Sequence, residues 1–307
     1  MVIWISIIIP VYNRSDYLRM TLESIKQQTI NNGKFEVIIV DDGSEEDIES
    51  VVKCYQEFLN LIYFRKSRNG FGAAAARNIG ISNSKGNILL FIDNGIILDN
   101  RALEKHIFSH ELHTRAVVIG YVYGFDSTNK KDKQIKQIVD SNTVEKAIAL
   151  MESEKLLDTR EKMYKKYGDN LNKWIAPWLV CWSCHISIEK SVLERIGMFD
   201  ESFSTWGGED IEFALALYVN SVEFVLDREC KSIHYPHEKY LNQVSKEFFD
   251  KENMKKKLYL LKKYPIYSVR KWCQYGMSKV NDCGYAYEEC VYKEDDGKIS
   301  EQSNYIK

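Results

Sequence analysis

The residues best suited to chemistry fall in a few short runs, and the densest is Trp206-Gly-Gly-Glu-Asp-Ile-Glu212. Two adjacent carboxylates, Glu209 and Asp210, can raise one another's basicity, which suits a general base. Gly207 and Gly208 let a ligand approach the backbone, and Trp206 offers a flat apolar platform. The same run also reads as a glycine turn with an acidic cap on a helix from Ile211 to Tyr218. Further candidates stand after apolar runs: Tyr12, Asn13 and Arg14 behind Pro10, Asp41 and Asp42 behind Val40, and Asp93 behind Ile92. Arg77 lies in an alanine-rich stretch, where a guanidinium can offset negative charge or lock a carboxylate in place.

Other candidates have plainer accounts. Cys181 and Cys184 form a C-x-x-C beside His185, but no second pair completes a tetrahedral site. The run from Trp178 to Ile188 therefore reads as a buried strand in which cysteine packs as a small hydrophobe. His106, His110 and His113 stand at helical spacings and are expected on a solvated helix surface. His234 and His237 follow a strand expected over Val222 to Leu226.

The elements that must position these groups alternate. Ile5 to Ile9 is a β-branched run, as in a parallel strand covered on both faces. A helix is expected from Ser15, its cap, to Gln28, with an apolar stripe of Tyr17, Leu18, Leu22 and Ile25. Strand Glu36 to Val40, a helix to about Leu59, strand Ile62 to Arg65, helix Ala73 to Ser82 and strand Ile88 to Ile92 follow. This alternation predicts an α/β fold with a mostly parallel, Rossmann-like sheet flanked by helices. Ligands of such sheets bind beyond the carboxyl ends of the strands, where Tyr12, Asp42 and Asp93 stand.

Residues 126–173 are rich in Lys and Glu with helical periodicity, and read as a helical insertion. Residues 1–239 then form the main domain, and residues 240–307 a helical C-terminal extension whose last dozen residues are expected to be disordered. The 307 residues carry 42 basic and 44 acidic side chains, which gives no case for a nucleic-acid binder. Met1 to Pro10 lacks a basic leader and a cleavage site, and no window reaches the ~20 apolar residues of a membrane span. The expectation is a cytoplasmic protein with reduced thiols, seven scattered cysteines notwithstanding. Peripheral contact with a membrane and homo-oligomerisation stay open.

Taken together, Ile7 to Arg14, Ile38 to Ser44, Ala76 to Gly80, Leu90 to Gly95, Gly197 to Glu201 and Trp206 to Glu212 resemble the family 2 glycosyltransferases of the GT-A fold. The last two runs resemble galactosyltransferases and chondroitin-type polymerases. The resemblance spans roughly Ile5 to His237 and implies inverting transfer of a sugar from a nucleotide-sugar donor, UDP-linked by expectation. A glycan, peptide or small molecule would be the acceptor. It places the base on Asp210, with Glu209 orienting the acceptor. Tyr12 and Asp42 would hold uracil, with Pro10 and Asn13 beside them; Arg77 would face the diphosphate and Trp206 the sugar. Asp93 matches the first carboxylate of the D-x-D motif, and His234 a histidine that binds metal or diphosphate.

The chain departs from the pattern at Asp93-Asn94-Gly95, where an amide and a glycine replace the usual metal-binding carboxylate. Three alternatives follow: Mn²⁺ or Mg²⁺ held by Asp93, His234 and donor phosphates, catalysis with little metal, or a non-catalytic nucleotide-sugar-binding subunit. A nucleotidyltransferase would need a glycine-rich basic loop after the first strand, and Pro10-Val-Tyr-Asn-Arg14 is not one.

Overall fold

The computed structural model describes residues 2–125, 130–237 and 245–283. Its centre is a sheet of eight strands: β1 (Ile5–Val11), β2 (Phe35–Asp41), β3 (Leu61–Arg65), β4 (Ile88–Ile92), β5 (Ile96–Leu98), β6 (Ala116–Tyr123), β7 (His185–Glu189) and β8 (Glu223–His234), in the order β3-β2-β1-β4-β7-β6-β8-β5. Six of the eight point one way, and only β7 and β5 run against them. The mostly parallel α/β sheet expected from the alternation is therefore present.

Both faces are covered, which is why the strands are apolar throughout rather than alternating. Ile5, Ile7, Ile9, Leu90 and Ile92 face one side, against Leu18, Leu22 and Ile25 of α1 (Ser15–Lys26), Val51 and Val52 of α2 (Ile48–Tyr55) and Leu103 of α4 (Ala102–Leu112). Ile8, Leu89 and Phe91 face the other side, against Ala74 and Ile81 of α3 (Ala73–Asn83) and Phe213 of α9 (Glu209–Val219). The intervening helices are α5 (Asp132–Asp140), α6 (Val144–Ser153), α7 (Glu161–Tyr167) and α8 (Lys190–Ile196). The described part of the insertion is helical as expected, and Ile135, Ile148, Met151 and Tyr164 bury into this second core. So do Leu260 of α10 (Lys246–Lys263) and Val269 and Trp272 of α11 (Tyr267–Tyr275). The tail expected to be disordered lies outside the described residues.

Four local expectations are corrected. The Trp178 to Ile188 run is not one strand: residues 177–180 form a 3₁₀ turn, and only His185–Glu189 extends. Pro177 begins the turn, and an apolar run alone does not distinguish strand from other buried backbone. Ser15 does not cap α1. Arg14 takes the cap position in the left-handed region, and Glu46 bonds the backbone N–H of Arg14 and Ser15, both at 2.8 Å. Likewise Gly208, not an acidic residue, precedes α9. Strand β8 does not stop at Leu226 but continues to His234 past an irregularity in its pairing with β6.

The histidines of α4 are a larger correction. His106 and His110 are buried, not solvated, because α4 packs this side against β7 and β8. His106 bonds Ser187 at 2.8 Å and His185 at 3.0 Å, His110 bonds Ser187 at 2.9 Å, and His185 reaches Ser232 at 2.8 Å. Burial holds them neutral, pulling His106 down to about 3, His110 down to about 4 and His185 well below its ordinary value.

Candidate active site

The carboxyl ends of β1, β2 and β4 lie side by side, and the antiparallel β7 brings its amino end to the same edge, with Ile92 opposite His185. The loop before β7 therefore arrives beside Asp93, whose backbone N–H donates to the Cys184 carbonyl at 3.2 Å. Strands β6 and β8 end at this edge too, bringing Phe125 and His234 together at 4.6 Å between ring centroids. The loop after β3 touches the run before α9, the Phe71 N–H donating to the Ser204 carbonyl at 2.9 Å.

Next to β2, the two aspartates divide their tasks. Asp41 is wholly buried and accepts from the Ser44 N–H and the Tyr63 hydroxyl, each at 2.8 Å, so it shapes the turn. Asp42 faces the loop after β3, accepting from the Gly72 N–H at 3.0 Å, from Arg68 at 3.2 Å and from Lys66. Gly72 is needed for this approach: a Cβ there would lie 2.1 Å from an Asp42 oxygen. Tyr12 exposes 36% of its surface, and the Arg68 guanidinium lies 3.3 Å over its ring. Asn13 instead ties two loops together, its side-chain oxygen accepting from Glu45 N–H at 2.8 Å. Pro10 sits within β1, partly buried, opposite Val40.

Arg77 is the hub of the other half. Its buried guanidinium bonds Asp93 at 2.9 Å and stands 3.6 Å from Glu209 and 3.7 Å from Asp210. Phe199, stacked on Phe213 at 4.0 Å, supports it from 5.3 Å away. Asp210 also accepts a hydrogen bond from Ser183. Among the described residues, two nitrogens of Arg77 and one oxygen of Glu209 have no hydrogen-bond partner, so the cluster keeps polar capacity that the described fold does not use.

The electrostatics follow from burial in this cluster. Burial first, and Asp210 second, push Glu209 above the usual carboxylate range, with Arg77 pulling the other way. Burial also raises Asp210; Arg77 opposes the rise and Asp93 adds to it. Burial disfavours the charge on Arg77, yet Asp210, Asp93 and Glu209 together hold it above its ordinary value. A cation fixed among three carboxylates, two of them made more basic, is an arrangement for moving a proton beside a developing anion.

A model of glycosyl transferase family 2 matches residues 6–197. The chain belongs to this family. It is 31% identical over 237 residues to validoxylamine A glucosyltransferase of Streptomyces hygroscopicus subsp. jinggangensis, covering 76% of this chain and 56% of that protein. It is 32% identical over 225 residues to the chondroitin synthase of Escherichia coli, covering 70% of this chain and 32% of that one. The chain thus spans about half or less of the length of these two relatives. Among solved structures, S. aureus TarS in complex with UDP-GlcNAc superposes with a TM-score of 0.60 at 18% identity, over 84% of this chain and 67% of that one. A mannosyltransferase from Pyrobaculum calidifontis, solved with GDP-Man and Mn²⁺, gives 0.51 at 16% identity, over 78% and 59%. These superpositions match the GT-A fold named above.

Within this family 2 chain, the departure at Asn94-Gly95 has a structural reason. The Asn94 amide braces the carbonyls of Asn13 and Arg14, at 3.3 and 3.2 Å, rather than facing Asp93. A side chain at Gly95, where φ is +100°, would meet Tyr17 at 3.1 Å. Among the described residues, no three Asp, Glu, His or Cys side chains converge as a metal cage. Asp93, 43% exposed at its side chain, is the one carboxylate this turn offers to a metal. His234 is buried, its ring 4.6 Å from that of Phe125 and 5.0 Å from that of His237.

Four contributors escaped the sequence reading. Ser183 lay hidden in the run mistaken for a strand. Lys66 and Arg68 stand just past β3, a strand end whose basic Arg65-Lys-Ser-Arg68 run was the available signal. Lys256 of α10 donates to the carbonyls of Thr205 and Trp206 at 3.2 and 2.6 Å, so the extension braces the loop that leads into α9. No local pattern marks that contact. Gly208, with φ at +101°, sits so close to the Phe203 ring that a Cβ would approach it to 2.7 Å. Trp206 stays exposed at 42% of its surface, its ring 6.2 Å from Phe249.

Proposed function

We propose that this chain transfers a sugar, with inversion, from a UDP-sugar to a hydroxyl of a glycan, peptide or small molecule. The observation that carries the proposal is the single guanidinium of Arg77 standing between Asp93 and the Glu209–Asp210 pair. The donor's leaving group gathers negative charge as the anomeric C–O bond breaks, and a fixed cation stabilises that charge. Asp210, hydrogen-bonded by Ser183 and raised in basicity, takes the proton from the acceptor hydroxyl as its oxygen bonds to the anomeric carbon. UDP leaves with the electron pair of the broken bond. Glu209 orients the acceptor, and Trp206 supplies an apolar face for a sugar ring.

The base site consists of Tyr12 and Asp42, with Pro10 and Asn13 shaping the turn that presents them. Asp42 accepts the uracil N3–H, and UDP is the carrier supported by the ligand of the TarS structure. Were a divalent ion to bind, Asp93 would be its carboxylate ligand, with donor phosphates and His234 as the other candidate ligands, and the ion would supply further charge neutralisation at the diphosphate. The test is Asp210→Asn, which keeps shape and removes the base. Transfer from a UDP-sugar to an acceptor should fall by at least about a hundredfold, the usual scale of general-base catalysis, while UDP affinity by calorimetry stays within about twofold. Persistent transfer places the base elsewhere. Failure of the wild type to release UDP from any donor, with binding intact, favours a non-catalytic nucleotide-sugar-binding subunit.

A further inference from the structure

The guanidinium of Arg68 makes the two contacts that the proposed base site provides. It lies 3.3 Å over the Tyr12 ring, the spacing of a stacked pair, and donates to Asp42 at 3.2 Å. A pyrimidine offers the same features: a flat face and an in-plane N–H. Both cannot occupy one face of Tyr12 and one side of Asp42 together. Building on the donor-site reading above, we propose that Arg68 is an internal ligand of the base site, and that donor binding is an exchange in which the base displaces it.

The structure makes such an exchange inexpensive. The Arg68 side chain is 37% exposed, so its guanidinium can move into solvent, whereas the Lys66 side chain on the other oxygen of Asp42 is only 18% exposed. After Arg68 leaves, Asp42 keeps the Gly72 N–H and Lys66, so the buried carboxylate is not stranded. What is given up is one partly exposed ion pair and one cation–π contact. While Arg68 holds the site, the apparent donor affinity is lowered by the fraction of molecules in which the site is open. The exchange also favours bases with an N–H aimed at Asp42, because a base without one removes Arg68 and returns nothing to the carboxylate.

Calorimetric titration of UDP, UMP and inorganic pyrophosphate into wild type, Arg68→Ala and Arg68→Lys tests the idea. Arg68→Ala should bind UDP and UMP about five- to tenfold more tightly than wild type, the scale of the contacts released, with pyrophosphate affinity unchanged. Arg68→Lys, which keeps the charge but loses the flat face, should fall between them. Unchanged or weaker UDP binding by Arg68→Ala, with wild-type binding intact, overturns the exchange and leaves the donor site standing. A gain that extends equally to pyrophosphate overturns it as well, since the effect would then not involve the base. If neither wild type nor variant binds UDP, the donor-site reading fails and the exchange with it.

Discussion

Acidification should destabilise this protein through the histidines packed between α4, β7 and β8. His106, His110 and His185 are neutral in the folded state, with His106 held to about 3 and His110 to about 4, while an unfolded histidine titrates near 6.5. Between those values the unfolded chain binds protons that the folded chain refuses. Their contribution is therefore complete above pH 6.5 and is lost progressively as pH falls, toward about 4 for His110 and about 3 for His106. At pH 5, His106 and His110 each cost about 2 kcal/mol, or about 4 kcal/mol together. For a chain of this size that lowers the thermal midpoint by about 6 °C. Glu209 and Asp210, raised by burial, work in the opposite sense, so the comparison must be made between variants. Urea unfolding of wild type and His106→Gln from pH 7 to 5 isolates the effect. The glutamine can still bond Ser187 but cannot titrate, so its stability should fall less steeply, by up to about 1.4 kcal/mol per pH unit. Parallel curves for the two proteins would refute the argument.

Asp42→Ala should weaken UDP binding by about 1–3 kcal/mol, the range for losing a hydrogen bond to a charged group, when measured by calorimetry; unchanged affinity would remove uracil from this position. Arg160→Met should cost about 3–5 kcal/mol in urea unfolding, because Arg160 is buried against Asp158 at 2.6 Å and its loss leaves that carboxylate uncompensated. Arg160 also bonds the carbonyls of Val180 and Gly120 at 2.8 and 2.9 Å, so transfer should fall along with stability as the Ser183 loop loses its brace. A variant of wild-type stability would show that the pair adds nothing net.

The sequence alone determined the strand tips. Apolar β-branched runs ending at Tyr12, Asp42 and Asp93 are local signals, since a strand buried on both faces must be apolar along its length and must end where polarity begins. The order of strand and helix then placed those ends on one edge, and the Glu209–Asp210 pair was legible as two acids at a helix start. What the sequence did not carry is every feature that depends on which surface packs against which. His106 and His110 have helical spacing whether they face water or β7. Ser183 reaches Asp210 because β7 runs antiparallel, and strand direction is a property of the whole sheet. Arg68 meets Tyr12 and Asp42 across 56 and 26 residues of chain, which no local pattern encodes. Lys256 reaches the Trp206 loop only because α10 folds back onto the body of the protein. Local physics decided which segments are strands and where they stop; long-range packing decided which polar groups face one another, because that depends on the arrangement of already-formed elements.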